Sequence, residues 1–357
     1  MKKLSIFAIV LASMVACTSS KSPKSVRFFA DTVGFASKAT QMDSVYARIF
    51  RFQGDSLNRK QALPGARLVI CPHDDYAYVG WQYPATLRNI TAKTVIILGV
   101  AHKAKTFNIE NKLVFDSFDC WHGPYGDVKV SPIRDELLRL MPADMVVVHD
   151  SLQLAEHSVE PMIPFLQRSN PNIEIVSILV PYMPFARISE LANSLAQNIY
   201  SISSKKHLEW GKDFAFIIST DAVHYGDEGW GGNNYAPFGA DSAGYAKAVE
   251  HEYQIVDSCL AGKATPERIE RFYRYTVSDA DYREYRWTWC GRYCVPLGLA
   301  TAIKLSNLSK GSSLEGKLVS YSTSIDHQPL LVEDLGMGRT APASIRHWVG
   351  YASLVYK

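Results

Sequence analysis

The sequence lacks an excess of charge of either sign, and after its first residues it lacks any apolar run long enough to cross a bilayer. Its 38 lysines and arginines nearly balance 35 aspartates and glutamates, which gives a formal net charge of +3. A nearly neutral surface gives no electrostatic attraction to nucleic acid, so we expect no nucleic-acid partner. No glycine-rich loop ends in Lys-Ser or Lys-Thr, which argues against a P-loop nucleotide site.

No internal repeat and no linker rich in proline or glycine divides the chain, so its 357 residues are interpreted as one main domain. Short runs rich in β-branched residues recur at 67–71, 94–100, 145–149, 174–180 and 214–220. Helix-like segments follow at 131–141, 157–168, 184–199, 239–259 and 293–306. Apolar strands that alternate with amphipathic helices predict an α/β fold. We expect a mixed or mostly parallel central sheet with helices on both faces.

The N-terminal stretch "MKKLSIFAIVLASMVAC" has two lysines, a short apolar run and small residues before Cys17. This pattern is typical of a signal peptide, and its "MVAC" ending resembles a bacterial lipobox. We interpret 1–16 as a lipoprotein signal peptide, 17–40 as a lipidated tether and 41–357 as the α/β domain. This predicts an exported protein of the bacterial cell envelope, periplasmic or surface-facing, held at the membrane by its lipid alone. The alternative is ordinary signal-peptidase cleavage with no acylation.

The remaining cysteines are odd in number. Apart from Cys17 they are Cys71, Cys120, Cys259, Cys290 and Cys294. An odd count leaves at least one cysteine as a free thiol, a metal ligand or an intermolecular partner. The sequence does not fix any pairing.

Histidines stand at the ends of four predicted strands, including His149 in the run at 145–149, although the chain has only ten histidines. In "VICPHDDYAYVG" the first strand leads into His73, and "ILGVAH" ends in His102. "ISTDAVHYG" places Asp221 and His224 after the strand at 214–220. Ligands of open α/β sheets bind beyond the carboxyl ends of the strands, so these residues predict a site at one sheet edge.

Several polar residues near these strand ends have more than one interpretation. Asp221 and His224 are either metal ligands, an acid/base pair, or a helix cap followed by a surface histidine. Asp74–Asp75 could orient the preceding histidine, but two adjacent acids are commonly solvated turn residues, and we do not assign them to the site. His149–Asp150 precedes a predicted loop and is interpreted in the same way.

The segment "AEHSVEPMIPFLQ" places His157 between Glu156 and Ser158 at the predicted start of a helix. A helix N-terminus presents backbone N–H groups and positive potential, which favour a substrate oxyanion. The structural alternative makes Ser158 an ordinary helix cap. We favour a site role for His157.

In "RWTWCGRYCVPLGLATAIK", Cys290 precedes an apolar helix. A thiolate near a helix start has a lowered pKa and can serve as a nucleophile or a soft metal ligand. A buried thiol and a Cys290–Cys294 disulfide are equally consistent with this segment.

Taken in order, these segments resemble the Memo-like proteins, also called system protein B of the AmmeMemoRadiSam group. The family's "PHAGY-Y-G" appears as "PHDDYAYVG" and its "GPSH" as "GVAH". "EHSLE-Q-PFLQ" matches "EHSVEPMIPFLQ", "SSD-SHYG" matches "STDAVHYG", and "CGR-P" matches "CGRYCVP". The matches run from about residue 66 to 356 and therefore cover nearly the whole predicted domain.

The resemblance implies a fold similar to class III extradiol dioxygenases and a site for copper or iron. The motif residues that would bind this metal are His73, His102 and Cys290. Residues that would line the same pocket and act in catalysis are His157, Asp221 and His224. This chain departs from the family in having Asp74 and Asp75 in place of Ala-Gly, which we expect to alter metal preference or substrate charge. Val100-Ala101 likewise replaces Pro-Ser.

The chemistry of this implied ligand set agrees with a transition metal. Two imidazoles and a thiolate suit iron, copper or zinc better than calcium or magnesium. Three protein ligands leave an open position for water, dioxygen or substrate. We therefore predict a metal-dependent, dioxygenase-like oxidoreductase that acts on a small-molecule or peptide ligand. The alternatives are a metal-dependent hydrolase with His224 as base, and a non-catalytic protein that binds metal or peptide.

Overall fold

A mixed β-sheet forms the centre of the protein, for which a computed structural model describes residues 24–357. Within this part of the chain the sheet has thirteen strands. They are β1 Val26–Arg27, β2 Leu68–Cys71, β3 Thr94–Val100, β4 Leu113–Phe115, β5 Cys120–Gly123, β6 Gly126–Val130, β7 Val146–Val148, β8 Glu174–Val180, β9 Phe214–Ser219, β10 His224–Gly226, β11 Gly262–Lys263, β12 Glu315–Thr323 and β13 His347–Tyr356.

The middle of the sheet is parallel, and its edges are mixed. Neighbouring strands follow the order β1-β5-β6-β8-β3-β9-β2-β13-β12-β11, with β10 paired to β13 and β4 to β7 and β8. The five central strands, β6-β8-β3-β9-β2, are mutually parallel. The strands β13, β12 and β11 continue the sheet in antiparallel fashion. The predicted mixed, mostly parallel α/β sheet is therefore confirmed.

Ten α-helices surround the sheet in the described residues. They are α1 Ala39–Asn58, α2 Tyr76–Val79, α3 Gln82–Leu87, α4 Ile133–Leu140, α5 Asp150–Ala155, α6 Ile163–Ser169, α7 Phe185–Lys206, α8 Ser242–Ile255, α9 Pro266–Thr276 and α10 Cys294–Leu308. Alternate strand residues enter two hydrophobic cores. Leu68 and Ile70 pack in the core that includes α7 and α10. Val69 and Cys71 pack in the core that includes α1, α3 and α6. Both faces of the sheet are covered, as continuous apolar strands require.

The helix predicted at 157–168 differs from the one observed. A turn at 158–159 leads into a 3-10 helix at Glu160–Met162, and the α-helix begins only at Ile163. Pro161 and Pro164 lack backbone N–H groups and are accommodated in the first turn of a helix, which delays the regular helix. The Ser158 hydroxyl does not cap a helix but donates to the carbonyl oxygen of Val100 at 2.8 Å.

The structure also moves the start of the domain. Strand β1 pairs with β5, and the Arg27 side chain is fully buried against Glu160. Residues from Val26 onward therefore belong to the domain rather than to the tether predicted at 17–40. The predicted signal peptide at 1–16 and Cys17 lie outside the described residues. Within residues 24–357, no helix has the length and apolar character needed to traverse a bilayer.

Candidate metal centre

Three neighbouring strands deliver polar residues to one edge of the sheet. Strands β2, β9 and β3 are adjacent and parallel, so their carboxyl ends lie together. His73, Asp221 and His102 each follow the end of one of these strands by two residues. The His73 and His102 rings are 5.2 Å apart between centroids, and His73 Nε2 lies 3.4 Å from Asp221 Oδ2. The predicted convergence of these three residues is confirmed.

The tautomer of His73 is set by its neighbours. Its Nδ1 lies 2.7 Å from Ser219 Oγ, and that hydroxyl donates its own proton to the carbonyl oxygen of Ser158. Ser219 Oγ must therefore accept the Nδ1–H of His73. The lone pair of Nε2 is left available as a ligand, and the ring is oriented by a hydrogen bond of the kind that supports metal-bound histidines.

Cys290 lies beside the Nε2 nitrogen of His73. Its Sγ is 3.5 Å from His73 Nε2 and accepts a hydrogen bond from the backbone N–H of Asp221 at 3.1 Å. The next residue, Gly291, donates its N–H to Thr220 Oγ1 at 2.9 Å. A Cβ at Gly291 would lie 2.2 Å from that oxygen, so only glycine allows the two segments to approach this closely.

His102 is held by a buried carboxylate. Glu156 accepts hydrogen bonds from the backbone N–H of His102 at 2.6 Å and from its Nδ1 at 2.8 Å. Burial opposes ionisation of Glu156, but the nearby His102 and its hydrogen bonds outweigh burial and lower the pKa of Glu156 to about 2. The sequence analysis does not assign this role to Glu156, although Glu156 stands next to His157 in the segment "AEHSVEPMIPFLQ".

His157 completes a cluster of three imidazoles. Its ring stacks on His102 with centroids 4.9 Å apart and planes 8° apart, and it lies 5.7 Å from His73. With 38% of its side chain exposed, His157 is the most accessible member of the cluster. This position suits a group that meets substrate or exchanges protons with solvent.

The donor atoms form two compact groups that share His73. One contains His73, His102 and His157, and the other contains His73, Asp221 and Cys290; within each group the ligand atoms lie within 4.8 Å of one another. The implied trio of His73, His102 and Cys290 takes members from both groups. These nitrogen, sulfur and oxygen donors fit a transition metal.

Burial favours the neutral form of three histidines of the site, His73, His157 and His224. Desolvation, reinforced by neighbouring histidines, lowers the pKa of His73 well below its usual value. Burial also lowers the pKa of His157 to about 4 and that of His224 to about 3. Neutral imidazole is the form that binds metals and accepts protons. In contrast, burial raises the pKa of Asp221 to about 7, although the His73 backbone N–H opposes the rise.

The structure decides between the interpretations of Cys290. Cys71, Cys120, Cys259, Cys290 and Cys294 are all free thiols. Within residues 24–357, Cys290 and Cys294 therefore do not form the disulfide that the sequence left open. Burial, with the nearby Asp221, raises the pKa of Cys290 well above its ordinary value, contrary to the lowering expected at a helix start. The helix α10 begins only at Cys294, so Cys290 precedes the helix instead of lying in its first turn, where the helix dipole acts.

His224 lies in a second cluster of aromatic side chains, formed with Trp230 and His347. Its ring is 5.4 Å from that of Trp230, which in turn stacks on His347 with centroids 3.9 Å apart. His224 Nε2, Trp230 Nε1 and His347 Nε2 are buried and have no hydrogen-bond partner among residues 24–357. Unpartnered buried nitrogens are rare in proteins and mark where a polar ligand group can be accepted. Trp230 and His347 were not predicted, because neither belongs to a strand-end motif.

Asp74 and Asp75 are not solvated turn residues, which corrects that interpretation. Asp74 Oδ2 accepts from the Tyr351 hydroxyl at 2.6 Å, and Asp75 Oδ2 accepts from the Thr340 N–H at 2.6 Å. Burial raises the pKa of Asp74 to about 7 and that of Asp75 to about 8. His149, by comparison, caps α5 by accepting from the Leu152 N–H at 3.0 Å, as expected for a loop residue.

A buried glutamate ties the two loops of the site together. Glu252 Oε1 accepts from the indole N–H groups of Trp287 at 2.6 Å and Trp289 at 2.7 Å, next to Cys290. Its Oε2 accepts from the Val223 N–H at 3.2 Å, next to His224. Burial raises the pKa of Glu252 to about 7. No sequence pattern marks this residue, which lies on α8.

Known proteins resemble this chain over most of its length. The family model described as Memo-like protein matches residues 43–333. A MEMO1 family protein of Thermococcus kodakarensis is 25% identical over 341 residues, which cover 93% of this chain and 99% of the relative. One of Pyrococcus furiosus is 27% identical over 323 residues, covering 87% and 91% of the two chains. One of Sulfolobus acidocaldarius is 32% identical over 168 residues, covering 44% and 53%.

These comparisons correct the predicted localisation. The N-terminal pattern was interpreted as marking an exported, lipid-anchored protein of a bacterial cell envelope, whereas the relatives are MEMO1 family proteins of archaea. A short apolar run before one cysteine is a brief local pattern, and it does not outweigh matches that span 93% of the chain. The predicted envelope localisation is therefore wrong.

Proposed function

This chain belongs to the Memo-like protein family, and from that premise we propose that it is a metal-dependent, dioxygenase-like oxidoreductase. The proposed cofactor is iron or copper, and the proposed ligands are His73, His102 and Cys290. The observation that carries the proposal is the surrounding of His73 Nε2. This nitrogen carries no hydrogen and lies 3.5 Å from a buried thiol and 3.4 Å from a buried carboxylate.

The support for His102 and Cys290 is the way in which each is held. Glu156 holds the His102 ring by a hydrogen bond from Nδ1, which leaves Nε2 as the nitrogen that can bind a metal. Cys290 accepts from the Asp221 N–H, which favours the thiolate that a metal requires. An iron or copper ion bound there supplies redox chemistry and activation of dioxygen.

The remaining site residues would handle protons and orientation. His157, neutral at pH 7, can accept a proton from a substrate group beside His102 at the ring nitrogen that carries no hydrogen. Asp221, with a pKa of about 7, can hold or release a proton at Oδ2 near neutral pH. His224 lies beside the unpartnered nitrogens of Trp230 and His347, which would bind a polar group of the small-molecule or peptide ligand.

The first test is the metal content of single variants. His73→Ala, His102→Ala and Cys290→Ser should each lose most bound metal, measured by elemental analysis of protein purified without an affinity histidine tag. Cys294→Ser, which removes another buried thiol on the same segment, should retain it. Asp221→Ala and His224→Ala should also retain metal. Full metal in Cys290→Ser and none in Asp221→Ala would instead assign a two-histidine, one-carboxylate site.

The second test addresses the oxidoreductase assignment. Protein loaded with ferrous iron should bind nitric oxide, a surrogate for dioxygen, and show the corresponding paramagnetic signal, because three protein ligands leave open positions. His157→Gln should leave the signal in place. A loaded protein that shows no spectral change with nitric oxide would contradict dioxygenase-like chemistry and favour a role in metal binding alone.

A further inference from the structure

Three arginines are buried in the described part of the chain, and only two of them face a carboxylate. Arg27 pairs with Glu160, and Arg134 pairs with Asp116 at 2.8 Å. The third, Arg292, is 7% exposed and has no salt-bridge partner among residues 24–357. A buried charge is normally paired, because leaving water is costly for an ion without a counter-ion.

The groups around Arg292 are neutral. Its Nε donates to the Tyr293 hydroxyl at 2.9 Å, and one terminal nitrogen donates to the carbonyl oxygen of Arg283 at 2.9 Å. The guanidinium carbon lies 3.5 Å from the ring centroid of Tyr285 and 4.7 Å from that of Tyr293. These contacts orient the planar group, but a guanidinium has five N–H donors and capacity remains for an anion.

Arg292 is close to the candidate metal centre. It follows Cys290 by two residues, and Cys290 Sγ lies 3.5 Å from His73 Nε2. The Tyr285 ring, against which the guanidinium packs, lies 6.1 Å from the ring of Tyr235. The Tyr235 ring is 6.2 Å from that of Trp230, the residue beside His224. Tyr285 is also 36% exposed, so this corner of the site is open to solvent.

We propose that Arg292 is the anion-binding residue of this site, and that the substrate carries a carboxylate or a phosphate group. The oxygens of that group would accept hydrogen bonds from the guanidinium, as the planar fork of arginine favours. The reacting part of the substrate would then lie toward Cys290 and His73. This inference rests on the proposed function, because it assigns the substrate class of the same site.

The test uses two anions as probes, with the whole chain, in metal-loaded and chelator-treated forms. Benzoate represents a carboxylate and inorganic phosphate represents a phosphate group; binding is measured by calorimetric titration at constant ionic strength. We expect saturable binding of one probe, and that probe shows whether the substrate group is a carboxylate or a phosphate. Arg292→Gln should weaken it by at least about tenfold, and Arg292→Lys, which keeps the charge but not the fork, should weaken it less.

The matched control is Arg286→Gln. Arg286 lies on the same segment and is paired with Asp279, with 45% of its side chain exposed. Removing this charge should leave anion affinity unchanged. If Arg292→Gln fails to fold, the test compares Arg292→Lys with Arg286→Lys. Only Arg292→Lys should then lose affinity for the anion.

Two results would overturn the inference. One is the absence of saturable binding of either probe to the wild type at about 10 mM. The other is equal affinity in the wild type and the Arg292 variants. Metal content distinguishes this failure from failure of the proposed function: Cys290→Ser tests the metal ligand, whereas Arg292→Gln should retain metal and lose only the anion.

Discussion

Glu156 binds His102 through two hydrogen bonds, from the backbone N–H at 2.6 Å and from the ring Nδ1 at 2.8 Å. The same carboxylate accepts from the N–H groups of His157 at 2.9 Å and Ser158 at 3.0 Å. Every group that faces Glu156 in this arrangement is a donor. The carboxylate therefore orients the His102 ring directly and holds the backbone at His157 and Ser158.

Replacing Glu156 with glutamine should weaken metal binding by about 10- to 100-fold. Whichever way the amide is turned, its NH₂ group meets an N–H donor, so the His102 ring loses its support. Competition with a chelating dye would measure the affinity. Glu190→Gln, at a side chain that is 58% exposed, is the control and should have no effect. Unchanged affinity in Glu156→Gln would show that Glu156 does not orient a ligand.

Metal binding should release a proton from Cys290. Because burial raises the pKa of this thiol, the proton is present at neutral pH and must leave before a thiolate can bind the metal. The loss of this proton should therefore raise the metal affinity of the wild type about tenfold for each unit of pH. In Cys290→Ser, the slope of the logarithm of metal affinity against pH should be smaller by about one, because one proton fewer is released. Parallel slopes in the two proteins, measured by titration from pH 6 to 8, would exclude the thiolate ligand.

Glu252 should make the metal-free protein less stable as pH rises. Its pKa is about 7 in the folded protein against an ordinary value of 4.5, so the folded state holds a proton that the unfolded state has lost. The free energy of unfolding should fall by about 3 kcal/mol from this group between pH 4.5 and pH 7. In Glu252→Gln this contribution should disappear, as denaturant unfolding at several pH values would show. An equal decline in both proteins would contradict the assignment.

Gly291→Ala should destabilise the protein by about 1–3 kcal/mol, because the new Cβ would meet Thr220 Oγ1 at 2.2 Å. The displacement should also reduce metal content, since Cys290 is the adjacent residue. Gly54→Ala is the matched control: it lies within α1, and a Cβ there meets no atom within 4 Å. That change should stabilise the protein by about 0.5–1 kcal/mol. Thermal melts with elemental analysis would measure both effects.

The sequence determined the sheet and the three strand ends of the site. The runs at 94–100 and 174–180 coincide with β3 and β8, because a continuous apolar stretch of β-branched residues is a local signal. The carboxyl ends of adjacent parallel strands share one edge, so His73, His102 and Asp221 were expected to converge.

Only the tertiary structure decided what surrounds those residues. Glu156 and His102 are 54 positions apart, and Glu252 lies 37 positions from Trp289, so neither contact leaves a periodic pattern in the sequence. Whether a buried charge such as Arg292 has a partner likewise depends on which chain segments pack beside it. Burial and pairing are properties of the packed fold, and they set the pKa values, the tautomers and the open hydrogen-bonding capacity of this site.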